Sequence, residues 1–143
     1  MRFLITAAPD PAKAPAAMDG PIDEALFSRY MKFNEDLMKA GVLVASEGLN
    51  PAGRGAKVGV SGSQRKVLDG PFTESKELVG GFYLIDVPSF EVALEWTLRA
   101  PVGFGSDDVL TIHQLTGASD IPPRLLQLAR EAAPTWTASL TKS

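Results

Sequence analysis

The chain has 143 residues, of which 45% are hydrophobic and 22% are charged, with a formal net charge of −3 and no cysteine. This length and composition are typical of one globular domain built around a single core. The acidic balance, without any run of basic residues, argues against direct nucleic-acid binding. The lack of cysteine excludes disulfides, thiolate catalysis and cysteine-ligated zinc sites.

The N-terminal segment predicts a buried strand rather than a targeting signal. Arg2–Ala8 is short and apolar, and prolines at positions 9 and 11 end it. The apolar run is therefore shorter than the roughly 7–15 residues of a secretory signal core. No stretch reaches the roughly 18–20 apolar residues that cross a bilayer. We therefore expect a soluble cytoplasmic protein that does not associate with membranes.

After a loop over residues 9–20, a helix is expected to begin at Pro21, with Asp23 and Glu24 near its positive end, and to end at Gly41. Its apolar stripe has helical spacing. The stripe consists of Leu26, Tyr30, Phe33 and Leu37, flanked by Phe27, Met31 and Met38. A strand over Val42–Ala45 follows, and it leads into Ser46, Glu47 and Gly48.

The middle of the chain predicts a hairpin and then a buried strand. Residues Asn50–Ala56 form a connection, and Lys57–Val60 pairs with Arg65–Leu68 across a short turn. A polar loop beginning at Asp69 then leads into the apolar strand Gly81–Val87. That strand is apolar at both odd and even positions, which indicates that both of its faces are buried.

The last third predicts a helix, a strand and a short terminal helix. Pro88 and Ser89 give a start signal for a helix through Arg99. We expect its inward face to carry Phe90, Ala93, Leu94 and Leu98. Val109–Leu115 is the last strand, Asp120 is placed to cap a helix over Pro122–Ala132, and Thr135–Ser143 is expected to be poorly ordered.

This order of elements predicts a ferredoxin-like βαββαβ sandwich of the α+β class with an extra hairpin. Both helices then cover one face of the sheet. The other face needs a cover or solvent, and pairing of two copies through their sheets is the simplest solution.

Three separated stretches resemble the "DGPF" family of YCII-related domains. The most specific is the loop Asp-Gly-Pro-Phe-Thr-Glu-Ser-Lys-Glu over Asp69–Glu77, which runs directly into Leu78–Val87. The others are Lys32–Leu49, covering the first helix and second strand, and Ala93–Trp96 in the second helix. The resemblance extends from Met1 to about Leu115, which predicts a YCII-related domain over residues 1–117 and an appended helix and tail over 118–143.

The resemblance implies a homodimer in which two sheets form a dimeric α/β barrel. Relatives are similar to partners of alternative sigma factors, which implies a protein-binding role as one alternative. Other relatives carry a histidine on the first helix, paired with an aspartate. The corresponding positions are Tyr30 or Met31 in this chain, so that acid–base pair is absent.

Four residues are candidates for a site. Asp69, at a strand end beside a Gly-Pro turn, is the candidate acid–base residue, although an aspartate also suits such a turn structurally. Glu47 is a second catalytic candidate if it lies close enough to Asp69 for the two to share a proton. Lys76 and His113 are candidates for substrate binding, each with a structural alternative as a solvated lysine or a strand histidine.

The sequence indicates no cofactor and no metal site. Its single histidine rules out a histidine-rich site, and its glycines fit neither the phosphate loop nor the dinucleotide fingerprint. Three readings of function remain. The first is a small dimeric protein that binds a polar metabolite near the Asp69 loop, with acid–base catalysis. The second is a regulatory partner of an alternative sigma factor, and the third is a ligand sensor without turnover.

Overall fold

The computed structural model describes residues 1–10, 12, 23–50, 55–69, 79–101 and 108–140. Within these ranges a 3₁₀ turn spans Ala118–Asp120, and the remaining elements are strands and α-helices. In chain order they are β1 (Arg2–Pro9), α1 (Glu24–Lys39), β2 (Leu43–Gly48), β3 (Ala56–Ser61), β4 (Gln64–Asp69), β5 (Gly81–Asp86), α2 (Phe90–Arg99), β6 (Asp108–Gln114), α3 (Pro123–Ala132) and α4 (Pro134–Leu140).

The main sheet has four antiparallel strands in the order β2-β5-β1-β6. Strands β3 and β4 form a separate two-stranded sheet, inserted between β2 and β5. Removing this hairpin leaves β1-α1-β2-β5-α2-β6, which is the ferredoxin-like order. The predicted fold class, including the extra hairpin, is therefore confirmed.

Helices α1 and α2 cover one face of the main sheet. That face supplies Phe3 and Ile5 from β1 and Tyr83 and Ile85 from β5, and the helices add Phe33, Leu37 and Ala93 to the same buried cluster. The alternate strand positions, among them Leu4, Phe82 and Leu84, are partly exposed on the second face. The prediction that β5 is buried on both faces thus holds fully for one face and partly for the other.

Local signals define the ends of α1. The carboxylate of Asp23 accepts hydrogen bonds from the N–H groups of Ala25 and Leu26, so Asp23 is the N-cap and α1 begins after it. The helix ends because Gly41 adopts a φ of +70°, a conformation that glycine reaches at low cost. The chain then turns directly into β2.

Helix α2 is rotated relative to the prediction. Ala93 and Thr97 are buried, whereas Phe90, Leu94 and Leu98 are 47%, 40% and 78% exposed. The stripe that faces the sheet therefore runs through Ala93 and Thr97 rather than through the leucines. A threonine fits there because its hydroxyl donates to the carbonyl of Ala93 at 2.8 Å, which satisfies the polar group.

The C-terminal segment forms a helix where poor order was expected. Pro134–Leu140 is helical, with Thr137 and Leu140 buried. Asp120 does not cap α3. Its carboxylate accepts from the N–H of Gly117 at 2.7 Å within the 3₁₀ turn, and Pro122 occupies the N-cap. Among the helices of the described ranges, none has the length and apolar character to cross a membrane.

Candidate functional site

A groove of about 530 Å³ lies between α1 and the outer strand β2. Helix α1 lines it with four residues at positions i, i+3, i+4 and i+7, which share one side of the helix, and β2 lines it with four consecutive residues. They are Met31, Asn34, Glu35 and Met38 from the helix, and Leu43, Val44, Ala45 and Ser46 from the strand. The lining thus combines thioether and aliphatic side chains with one amide, one hydroxyl and one carboxylate.

A β-bulge in β2 decides which side chains face this groove. Leu43 pairs with Ile85 and Ala45 pairs with Leu84, so Val44 is one extra residue on the β2 side. Beyond the bulge, Ser46 pairs with the buried Tyr83 and therefore faces α1. An uninterrupted strand would have reversed this alternation and turned residue 47 toward the helix.

Ser46 and Asn34 join the strand to the helix. The Ser46 hydroxyl donates a hydrogen bond to Asn34 Oδ1 over 3.0 Å, and both residues are partly buried. Because Oδ1 faces Ser46, the NH₂ group on the other arm of the planar amide is available as a donor. The contact thus fixes the orientation of the amide in the groove wall.

Aromatic rings pack against one another beneath α1. The rings of Phe33 and Tyr83 meet edge to face with centroids 5.3 Å apart, and Phe33 also contacts Trp96 at 6.1 Å. Burial, with a smaller contribution from the nearby Tyr30, raises the pKa of the Tyr83 phenol above its usual value. Tyr83 is therefore a neutral hydroxyl at physiological pH.

Charged residues beside the groove are paired. Lys32 donates to Asp36 at 2.8 Å, and the guanidinium of Arg99 lies 3.9 Å from the same carboxylate. The Lys32 hydrogen bond lowers the pKa of Asp36, and burial opposes this in part. Glu35, on the groove wall, forms an ion pair with Lys39 at 3.1 Å.

The main sheet places Glu47 and His113 far from each other and outside the groove. Glu47 pairs with Phe82, so it lies on the second face of the sheet and is exposed. His113 pairs with Leu4 and is also exposed on that face, but on β6. The two outer strands are three strand spacings apart, or about 14 Å. Glu47 and His113 therefore do not meet within one chain.

The other two candidates lie largely outside the described residues. The backbone of Asp69 pairs with Ala56 at the base of the hairpin, but its side chain is not described, and Lys76 lies outside the described ranges altogether. The loop that contains Lys76 rejoins the described chain at Val79 and Gly80. There, the N–H of Leu49, which is three residues beyond Ser46 in the chain, donates to the Gly80 carbonyl at 2.9 Å. Gly80 thus lies beside the C-terminal end of β2.

The sequence prediction did not include Asn34 and Ser46. The available signal was an asparagine within an otherwise amphipathic helix, where its helix propensity is poor and a specific contact is a common reason for it. Among the described residues, no group of three or more His, Asp or Glu side chains is arranged to hold a metal ion.

Comparison with known proteins identifies the family. The model of the YCII-related domain matches residues 1–113. An uncharacterised protein of Rhizobium meliloti (strain 1021) is 30% identical over 104 residues, which cover 73% of this chain and 77% of that protein. Among solved structures, 5-chloro-2-hydroxyhydroquinone dehydrochlorinase (TftG) from Burkholderia phenoliruptrix AC1100, in complex with 2,5-dihydroxybenzoquinone, matches with a TM-score of 0.41 and 13% identity. That match covers 85% of this chain and 100% of the other.

Proposed function

Because the chain belongs to the YCII-related domain family, we propose that it binds a small organic molecule in the groove between α1 and β2, and that it acts as a homodimer. The groove carries this proposal. The groove is open to solvent, with a volume of about 530 Å³, and its lining of apolar residues with a few polar groups resembles the lining of small-molecule sites.

The position of the groove agrees with a ligand site near the Asp69 loop. Ser46 lines the groove, and β2 continues from it to Gly48, which pairs with Gly81 at the point where the loop has returned to the sheet. We retain Asp69 as the candidate acid–base residue and Lys76 as a candidate for substrate binding. Glu47, the second catalytic candidate, and His113, the other candidate for substrate binding, lie on the second face of the sheet and therefore outside this groove.

A thermal-shift screen against a metabolite library tests this function. The wild-type chain is compared with Ser46→Ala and Asp69→Asn. A metabolite that stabilises the wild type but loses its effect in Ser46→Ala supports the groove as the site. Loss of the effect in Asp69→Asn, at an unchanged melting temperature, supports a role for Asp69 in the site. If no metabolite shifts the melting temperature, the groove is not a tight ligand site.

The homodimer is proposed from the second face of the main sheet. Leu4, Phe82 and Leu84 are partly exposed there, and the outer strands β2 and β6 each have one edge unpaired within the described residues. Such faces and edges favour pairing with another chain. Light scattering should give twice the 15.2 kDa mass of the chain, and a stable monomer at high concentration would contradict a homodimer.

The C-terminal helices favour a second candidate function, which is binding of a protein partner. Leu125, Leu128 and Trp136 are 53%, 50% and 57% exposed, and they lie beyond the residues matched by the family model. Exposed apolar side chains in such a segment are typical of an interaction surface. An alternative sigma factor is the partner that the family resemblance suggests. If a chain lacking the residues after Gly117 binds that partner as well as the full chain does, this candidate is wrong.

A further inference from the structure

We infer that the groove recognises neutral aromatic molecules that carry a hydrogen-bond acceptor, such as a carbonyl oxygen. This inference rests on the proposed function, because it names the class of ligand for the same groove. It depends on three features of the lining, namely the orientation of the Asn34 amide, the exposure of two thioethers, and the charge at the rim.

The Asn34 amide supplies a fixed donor. Ser46 donates to Oδ1 over 3.0 Å, and this holds the amide so that Nδ2 is the atom left to bind another group. Among the described residues Nδ2 donates to no protein acceptor, and it is accessible to solvent and to a ligand. A ligand oxygen that accepts a hydrogen bond would satisfy it. A molecule without such an oxygen would cover the NH₂ group and leave it without a partner, which is unfavourable.

Two methionines supply the apolar walls. Met31 and Met38 lie two helical turns apart on the same side of α1, with Asn34 between them, and they are 45% and 63% exposed. Val44, the extra residue of the bulge, also lines the groove and is 53% exposed. Thioethers are flexible and make favourable contacts with aromatic rings, so this arrangement favours a ring held beside the Asn34 amide.

The charge at the groove favours a neutral ligand. Glu35 is the charged residue in the lining, and Lys39 pairs with it at 3.1 Å. None of the eight lining residues is a cation, so a ligand carboxylate would lose hydration in the groove without gaining an ion-pair partner. A ketone or an amide makes the same hydrogen bond to Asn34 without that cost.

The test uses methyl NMR of the full chain labelled at its methionines. The chain has four, and Met31→Leu and Met38→Leu variants assign the two signals from the groove. Met1, at the start of β1 and two strands away from β2, is the internal reference. The probes are acetophenone, ethylbenzene, which lacks the carbonyl oxygen, and benzoate, which carries a charge.

We expect acetophenone to shift the Met31 and Met38 methyls saturably and to bind about three- to tenfold more tightly than ethylbenzene, since one hydrogen bond separates them. Benzoate should bind more weakly than acetophenone. Asn34→Asp, which keeps the shape but removes the donor, should abolish the preference for acetophenone, and Ser46→Ala should reduce it.

The outcomes separate this inference from the proposed function. Equal binding of acetophenone and ethylbenzene, tighter binding of benzoate, or an unchanged preference in both variants would overturn the ligand class while leaving the groove as a site. If none of the probes shifts the Met31 or Met38 methyl, the ligand class is wrong, and the metabolite screen with Ser46→Ala then decides separately whether the groove is a site. Should Asn34→Asp fail to fold, Ser46→Ala still decides whether the fixed amide matters.

Discussion

The Ser46 hydroxyl and the Asn34 side chain form a 3.0 Å hydrogen bond that ties an outer strand to the helix packed beside it. An outer strand is held by backbone hydrogen bonds on one side only, so side-chain contacts to a helix help to fix its position. Here the same contact forms one wall of the groove. Its geometry depends on the bulge at Val44 and on the buried cluster that holds α1 against the sheet.

The first prediction concerns that buried cluster. Leu37 on α1 is 0% exposed, so Leu37→Ala should lower the free energy of unfolding by about 2–5 kcal/mol through lost contacts and a residual cavity. The matched control is Leu98→Ala, because Leu98 is 78% exposed and its removal should change stability by less than about 0.5 kcal/mol. Urea unfolding of both variants measures the difference. Equal losses would contradict the packing of α1 described above.

A second prediction concerns the close approach of β2 and β5. A Cβ at Gly81 would lie 2.9 Å from the carbonyl oxygen of Glu47, which is backbone and cannot rotate away. Gly81→Ala should therefore cost about 1–3 kcal/mol of stability. Gly59→Ala, on β3, has no atom within 4 Å of the added methyl and should be neutral or stabilising by up to about 1 kcal/mol. A Gly81→Ala variant as stable as wild type would rule out this strand spacing.

A third prediction concerns acid stability. The Lys32 hydrogen bond lowers the pKa of Asp36 below its usual value of 3.8, so the unfolded chain binds a proton at this site more readily than the folded chain does. The stabilisation from Asp36 is therefore present above pH 3.8 and is lost as the pH falls through the lower, folded pKa. The difference in free energy of unfolding between wild type and Asp36→Asn should therefore shrink as the pH falls below 3.8.

Unfolding curves at pH 7 and at steps down to pH 2 measure the Asp36 effect. Added salt provides a control, because Asp36 is partly exposed and its attraction to Lys32 and Arg99 should weaken with screening. A difference that is the same at every pH would show that the carboxylate charge plays no part in it.

A fourth prediction concerns alkaline stability. Burial raises the pKa of Tyr83 above its usual value of 10, so the folded chain holds this proton more tightly than the unfolded chain. The resulting stabilisation is complete below pH 10 and is lost as the pH rises toward the folded pKa. Tyr83→Phe has no phenol at this position, so its free energy of unfolding should fall less than that of the wild type as the pH rises above 10.

Ultraviolet titration gives a direct readout for Tyr83. The chain has two tyrosines, Tyr30 and Tyr83, so Tyr83→Phe leaves one phenol to titrate. In the wild type, one phenol should ionise later than the other, and the later step should be missing in the variant. If the step lost in Tyr83→Phe is the earlier one, the burial of Tyr83 is contradicted.

Much of the fold is encoded in local patterns of the sequence. Helical spacing identified Leu26, Phe33 and Leu37 as the buried side of α1, and Gly41 identified its end. The hairpin and the order of the strands also followed from alternation and turn residues, since these depend on neighbours along the chain. Helix α2 was less well predicted, because a threonine that satisfies its own hydroxyl by a backbone hydrogen bond occupies a buried position.

The candidate site depended on information that the sequence does not carry locally. Glu47 was a plausible catalytic residue by its place at a strand end, but Val44 adds one residue to β2 relative to its partner. That single extra residue turns Ser46 toward α1 and Glu47 toward the other face of the sheet. By itself, the sequence determined the family, the elements and most of the core. The tertiary structure decided which side chains meet, because strand register depends on pairing with a distant segment and not on neighbours along the chain.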